Sequence, residues 1–195
     1  MSDSDRIKWD ARHAVAPDHD SGPAEVLETY SHLLPRTGRA LDVACGRGAN
    51  ALFLAQRGLE TVAWDISMAA IESLTARAHR LNLAIQAEQR DVVEQPPSAS
   101  SFDVIVVSRF LDRGLIPALI AALRSGGLIF YQTFLSEAAA ADGPRNPEYR
   151  LGSNELLELF RGLRVLAYHE EGLVGDSSRG RRNEAMLVAQ NRADR

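Results

Sequence analysis

The stretch Leu41-Asp-Val-Ala-Cys-Gly-Arg-Gly-Ala-Asn50, LDVACGRGAN, decides how the rest of the chain is read. An apolar run over residues 39–44 leads into Gly46-x-Gly48-x-x-Ala51, and residues 50–57 continue with helical character as far as Gly58. Strand, glycine turn and helix start, in that order, bring backbone close to a bound nucleoside. A second short run, 61–64, closes on Asp65, 19 residues after Gly46. That spacing suits an acid that holds the ribose hydroxyls of an adenosine-containing cofactor.

Asp42 separates two kinds of cofactor. A dinucleotide loop offers backbone N–H groups to a pyrophosphate, and a carboxylate beside it repels that anion. S-adenosylmethionine has no phosphate and carries an ammonium and a sulfonium, so an acid at the mouth of the first strand favours it. The glycines then serve close approach, because a Cβ at Gly46 or Gly48 would intrude on the ligand. In the competing structural reading, Asp42 caps the following turn.

Outward from this unit, strands and helices alternate. Residues 24–34 carry Val26, Leu27, Tyr30, Leu33 and Leu34 at helical spacing. Ser67 can cap a helix with Ile71, Leu74, Ala78 and Leu81 on one face. A third strand is expected over 83–90 and a loop over 94–101, where paired prolines block both helix and ladder. Phe102–Ser108 reads as a strand buried on both faces. A helix over 116–123 tolerates Pro117 only in its first turn. A turn at 125–127 leads to a strand over 128–134, and 135–152 is an irregular insertion containing GPRNPEYRLG. A helix over 154–161, capped by Ser153, precedes strands over 163–169 and 184–190 with no helix between them, so these two pair antiparallel. One α/β domain spans residues 1–195, with 1–22 as a polar arm or cover.

DVACGRGAN, followed by TVAWDIS, resembles the class I S-adenosylmethionine-dependent methyltransferases, and among them the tellurite-resistance (TehB-like) branch. The resemblance covers roughly residues 38–134. It implies a Rossmann-like, seven-stranded, mostly parallel sheet with helices on both faces and the last strand antiparallel. It also implies S-adenosyl-L-methionine as cofactor and S-adenosyl-L-homocysteine as product. Carried over by position, Asp42, Gly46 and Gly48 line its methionine part, and Ala44, Cys45 and Asn50 are further cofactor-binding positions. Asp65 takes the ribose, Ile66 lies against the adenine, Asp91 and Val92 meet the adenine as well, and Ser67 is a further cofactor-binding position. Ser108 and Arg109 face the region of methyl transfer, and Trp9, with Asp10 and Arg12, belongs to an arm that covers the cofactor.

Candidates for handling the acceptor lie at the ends of the fourth and fifth strands: Arg109, Tyr131 and Thr133. The insertion is a candidate lid whose Arg145, Asn146, Tyr149 and Arg150 offer donors to an oxyanion; the alternative is a packed surface loop. Arg109, Tyr131 and Arg145 are the expected catalytic set.

Composition narrows the partners. Hydrophobic residues make up 45% of 195, enough for a packed core, and the net charge of −4 gives no general drive toward nucleic acid or anionic membrane. The basic cluster Arg179-Gly-Arg-Arg182 could touch RNA phosphates or remain a solvated turn. One cysteine excludes an internal disulfide, and Cys45 reads as a small residue in a crowded turn. Five histidines show no metal-ligand spacing, and Asp18-His19-Asp20 could hold a divalent ion only weakly. A polar, acidic N-terminus and no long apolar run point to a cytoplasmic protein without a membrane span. The expectation is a methyltransferase acting on a small acceptor, an oxyanion such as tellurite or a thiol. A methyltransferase of RNA or protein, a nicotinamide-dependent oxidoreductase and a non-catalytic cofactor binder are the alternatives. Oligomeric state is not legible.

Overall fold

The computed structural model describes residues 3–15, 22–138, 140 and 142–192. Seven strands form one sheet: β1 (Arg39–Val43), β2 (Glu60–Asp65), β3 (Ile85–Gln89), β4 (Phe102–Ser108), β5 (Leu123–Phe134), β6 (Arg164–His169) and β7 (Glu184–Gln190). Their order is β3-β2-β1-β4-β5-β7-β6. The first five are mutually parallel, and β7 runs antiparallel to both β5 and β6. The helices are α1 (Asp3–Val15), α2 (Glu25–Thr29), α3 (Ala49–Gln56), α4 (Met68–Arg80), α5 (Ile116–Ala122) and α6 (Glu155–Leu159).

Period-two alternation on the central strands explains why helices cover both faces. Leu41, Val43, Ile105, Val107, Ile129 and Tyr131 point to a core closed by Ile116 and Leu119 of α5 and Leu156 of α6. Ala40, Val104, Val106, Leu128 and Phe130 point the other way, against Val26 and Leu27 of α2 and Leu54 of α3. A third cluster packs α3 and α4 through Ala51, Leu52, Ile71 and Leu74 onto Ala63.

From β1 the chain winds outward to β3, then crosses to β4 on the other side of β1. The order therefore reverses between β1 and β4, and open α/β sheets bind ligands outside the carboxyl ends of the strands at such a point. Two residues without glycine's freedom adopt left-handed backbone there: Ala44 after β1 (φ 50°) and Arg109 after β4 (φ 54°). Strained conformations of this kind persist where the surrounding structure over-determines them.

Several boundaries differ from the sequence reading. The polar arm contains a helix of 13 residues, α1. The stripe over 24–34 breaks at Tyr30 into α2 and a short helical turn over Ser31–Leu33. Ser153 does not cap α6: Asn154 holds that position with φ 58° and no side-chain cap, and its amide donates to Glu170. Leu81 falls outside α4 and is exposed, because the helix ends before it. β5 starts at Leu123, five residues ahead of the expected strand, since Leu123 already pairs with Phe102 across an irregularity in the β4 ladder.

Candidate active site

The glycine loop is tied down by its own chain. The Cys45 amide donates to the Trp64 carbonyl (2.9 Å), Gly46 N–H to Asp65 Oδ2 (2.7 Å) and Gly48 N–H to the Cys45 carbonyl (2.9 Å). Asp65 Oδ1 also accepts from the Ser67 amide at 2.9 Å. One carboxylate thus joins the loop after β1 to the head of α4. Burial, the largest influence, raises the Asp65 pKa against the pull of those two hydrogen bonds.

Asp42 departs from the expected role. Its side chain is fully buried, with Oδ2 accepting from the Ala51 amide (3.0 Å) and Oδ1 from Asn50 Nδ2 (3.3 Å). Gly48 occupies the α3 cap position and has no side chain, so Asp42 reaches across from β1 to cap the helix in its place. Desolvation lifts the Asp42 carboxyl to about 7. The carboxylate that was expected to greet a cationic tail faces α3 instead, because an acid one residue before the end of an inner strand lies beneath the loop.

The two glycines also differ. A Cβ on Gly48 would lie 2.2 Å from Cδ1 of the buried Leu74, so this glycine serves the contact between α3 and α4 rather than a ligand. At Gly46 the nearest neighbour of such a Cβ is the His13 ring, at 3.4 Å. His13 comes from α1 and was not anticipated as a site residue. Trp9 stacks on it with ring centroids 5.9 Å apart. Burial lowers the His13 pKa, opposed by the nearby Asp65. Asp10, on the same helix, accepts from Ser67 Oγ at 2.7 Å.

The other expected cofactor residues divide. Asn50 is a buried hub: its Nδ2 donates to Asp42 and to Ser108 Oγ (3.0 Å), and its Oδ1 accepts from the Ala24 amide (2.7 Å). Ser67 is buried and caps α4 by accepting from the Ala70 amide. The half-buried Ala44 and Ile66 lie at the ends of β1 and β2. Asp91 accepts from the Val93 amide, and Val92 is buried in the core under α5. Cys45 is buried, and desolvation pushes its thiol up, so no thiolate is poised.

On the acceptor side, Tyr131 is not a candidate donor. It is fully buried, packs on Phe160 and donates its hydroxyl to the Phe110 carbonyl (2.9 Å), because inward-facing β5 residues meet α6. Thr133 is buried as well. Arg109 is exposed and pairs through Nε with Glu184 Oε1 at 2.9 Å, and Glu184 in turn accepts from Gln132. Arg150 is spent on its own segment, donating to the carbonyls of Pro144, Leu135 and Asp142, and Asn146 caps its own turn. Arg145 and Tyr149 are exposed. Arg113 fastens the segment from outside through the Glu148 and Arg150 carbonyls and Glu155. The insertion is therefore a stapled wall in this conformation.

Arg182 similarly staples the β6–β7 loop through the carbonyls of Arg179, Gly172, Val174 and Asp176, and Arg181 pairs with Glu25. Two of the three arginines of that basic cluster are thus engaged within the protein. No group of ligating side chains is suited to a metal among the described residues; Asp18-His19-Asp20 lies outside them. No helix among the described residues is long and apolar enough to cross a membrane.

Residues 40–127 match the family model described as a methyltransferase domain. Over that span the chain carries a methyltransferase domain. It is 32% identical over 168 residues to Hemagglutinin 1 of Eikenella corrodens, covering 82% of this chain and 53% of that protein. It is 29% identical over 140 residues to the ubiquinone biosynthesis O-methyltransferase of Xanthomonas axonopodis pv. citri, covering 68% and 58%. With the probable S-adenosyl-L-methionine-dependent methyltransferase TehB of Haemophilus influenzae it shares 26% over 138 residues, covering 68% and 48%. The crystal structure of TehB from that organism superposes with a TM-score of 0.70 at 21% identity, over 96% of this chain and 67% of the other. The chain thus spans about half the length of these curated relatives.

Proposed function

We propose that the protein is an S-adenosylmethionine-dependent methyltransferase whose acceptor is a small oxyanion, such as tellurite, or a thiol. The observation that carries the cofactor reading is the condition of the glycine loop. Its Gly46 and Gly48 amides already donate to Asp65 and Cys45, so the loop offers no row of free N–H groups to a pyrophosphate. The Asp42 carboxyl is buried and faces α3, so its charge does not make that discrimination.

Each Asp65 oxygen accepts one backbone N–H and keeps a lone pair for a ribose O–H. Asp65 is assigned to the ribose, Ile66 and Asp91 to the adenine end, and Ala44 and Gly46 to the methionine end. α1 covers this half of the crevice through His13 and Trp9. The cofactor supplies a methyl group on a sulfonium, and its transfer is an in-line displacement. The protein's share is alignment of the acceptor and exclusion of water. A thiolate or oxyanion is already nucleophilic, which suits a site in which Cys45 and Tyr131 are both held protonated by burial. Arg109 and the exposed Arg145 are the groups assigned to the acceptor's negative charge. The walls built by Arg150, Arg113 and Arg182 favour a small molecule over a polymer.

Titration calorimetry with S-adenosylhomocysteine and with NAD tests the cofactor. Binding of the first and not the second is expected; the reverse sinks the reading. Turnover with tellurite, selenite, 2-mercaptoethanol, a catechol and bulk tRNA tests the acceptor. Activity on the catechol or the tRNA alone would remove the oxyanion and thiol assignment.

A further inference from the structure

α1 is joined to the cofactor half by more than contact. Asp10 Oδ1 accepts from Ser67 Oγ (2.7 Å) and from the Ala69 amide (3.4 Å), so an acid from α1 sits at the head of α4. Ser67 is fully buried and is itself the cap of α4, its Oγ accepting from the Ala70 amide at 3.2 Å. The Ser67 amide donates to Asp65 Oδ1, and Asp65 Oδ2 accepts from Gly46. A continuous chain of hydrogen bonds therefore runs from Asp10 through Ser67 and Asp65 to the glycine loop. One turn along α1, His13 lies against that same Gly46.

We propose that Asp10 is a positioning residue for the cofactor: its carboxylate ties α1 to Ser67, whose backbone amide holds Asp65 in its ribose-accepting orientation, and the same tie seats His13 over Gly46. The inference rests on the reading of this crevice as the cofactor site. Ser67 has one hydroxyl proton, and it donates that hydrogen bond to Asp10. With Asp10 gone, the Ser67 hydroxyl loses the acceptor that fixes its rotamer, and the head of α4 that presents the Ser67 amide to Asp65 is held less firmly. α1 also loses its tie to α4, and the His13 wall goes with it. A negative charge at a helix N-terminus adds to the hold, and the Ser67 hydrogen bond keeps the Asp10 carboxyl below its ordinary range.

The test compares Asp10→Ala, Asp10→Asn and His13→Ala in the full chain. Asp10→Ala should weaken S-adenosylhomocysteine binding about tenfold, raising the KM for S-adenosylmethionine with little change in kcat. Asp10→Asn should recover to within about threefold, because an amide oxygen accepts from the same two donors. Combining Asp10→Ala with His13→Ala should cost less than the sum of the two, since one helix delivers both. Wild-type affinity in Asp10→Ala, or no recovery in Asp10→Asn, overturns the proposal. Hydrogen exchange on the ligand-free protein keeps the two readings apart. Should the wild type bind no S-adenosylhomocysteine, the cofactor reading fails, and the tie from Asp10 to the head of α4 is then judged by exchange alone. Faster exchange at Ala69, Ala70 and α1 in Asp10→Ala supports it; unchanged exchange sinks it.

Discussion

The two halves of the crevice are built by different means. On the β1–β2 side, acids accept from backbone: Asp42 caps α3, Asp65 joins the loop to α4, and Asp10 adds α1 to the same helix head. On the β4–β5–β7 side, arginines donate to backbone: Arg113, Arg150 and Arg182 each hold two or more carbonyls of irregular segments. Helix heads present unpaired N–H groups and attract carboxylates; long loops present unpaired C=O groups and attract guanidiniums. The first half is fixed by short, stiff side chains on regular elements. The second depends on long side chains reaching across loops.

The contrast is broken most directly at Gly48. Gly48→Ala should destabilise by about 2–4 kcal/mol, since its left-handed backbone (φ 78°) and the Leu74 side chain both oppose a Cβ. Gly46→Ala should lose less stability, about 1 kcal/mol, and more of its S-adenosylhomocysteine affinity. Chemical denaturation beside calorimetry separates the two glycines; equal behaviour would undo the distinction.

Asp42 predicts a pH effect next in size. Its carboxyl titrates near 7 when folded and near 4 when unfolded, so between those values the folded protein holds a proton that the unfolded chain releases. Stability of the ligand-free protein should therefore fall as pH rises from about 4 to about 7, by on the order of a few kcal/mol, and level off above. Asp65, also raised by burial, acts in the same direction, whereas Glu155, lowered by Arg113, contributes stability that is lost as pH falls through its depressed pKa. Thermal melts across this window should show the slope, and Asp42→Asn should flatten it.

On the arginine side, effects should be smaller. Arg150→Ala removes three carbonyl contacts and should cost about 1–2 kcal/mol, with proteolysis shifted into 142–150. Arg145→Ala, on an exposed side chain, should stay within about 0.5 kcal/mol of wild type while raising the KM for an oxyanion. An Arg145→Ala enzyme with an unchanged KM removes that residue from the acceptor site.

The same division explains what the sequence disclosed. The strands from β1 to β4 and the glycine loop were legible because their signals are local: apolar runs, a glycine turn, and an acid at fixed spacing. The antiparallel pairing of the last two strands followed from the missing helix between them. Asp42 was misjudged because its partner, the Ala51 amide, depends on how far the loop folds back over β1. Tyr131 was misjudged because a strand's alternation shows that a side chain faces inward or outward only once the partner face is known. His13 carries no local signal, since its neighbour Gly46 lies 33 positions away and only the docking of α1 brings them together. Arg150 was credited with free donors because stapling of a loop by its own arginine leaves no periodic trace.

The place of β7 has a consequence for biosynthesis. This strand follows all the others in sequence, yet it lies between β5 and β6. Until residues 184–190 leave the ribosome, the β5 edge stays open and β6 has nothing to pair with. A nascent chain halted before that point would display an unpaired ladder, the kind of surface that chaperones shield and that neighbouring chains can join.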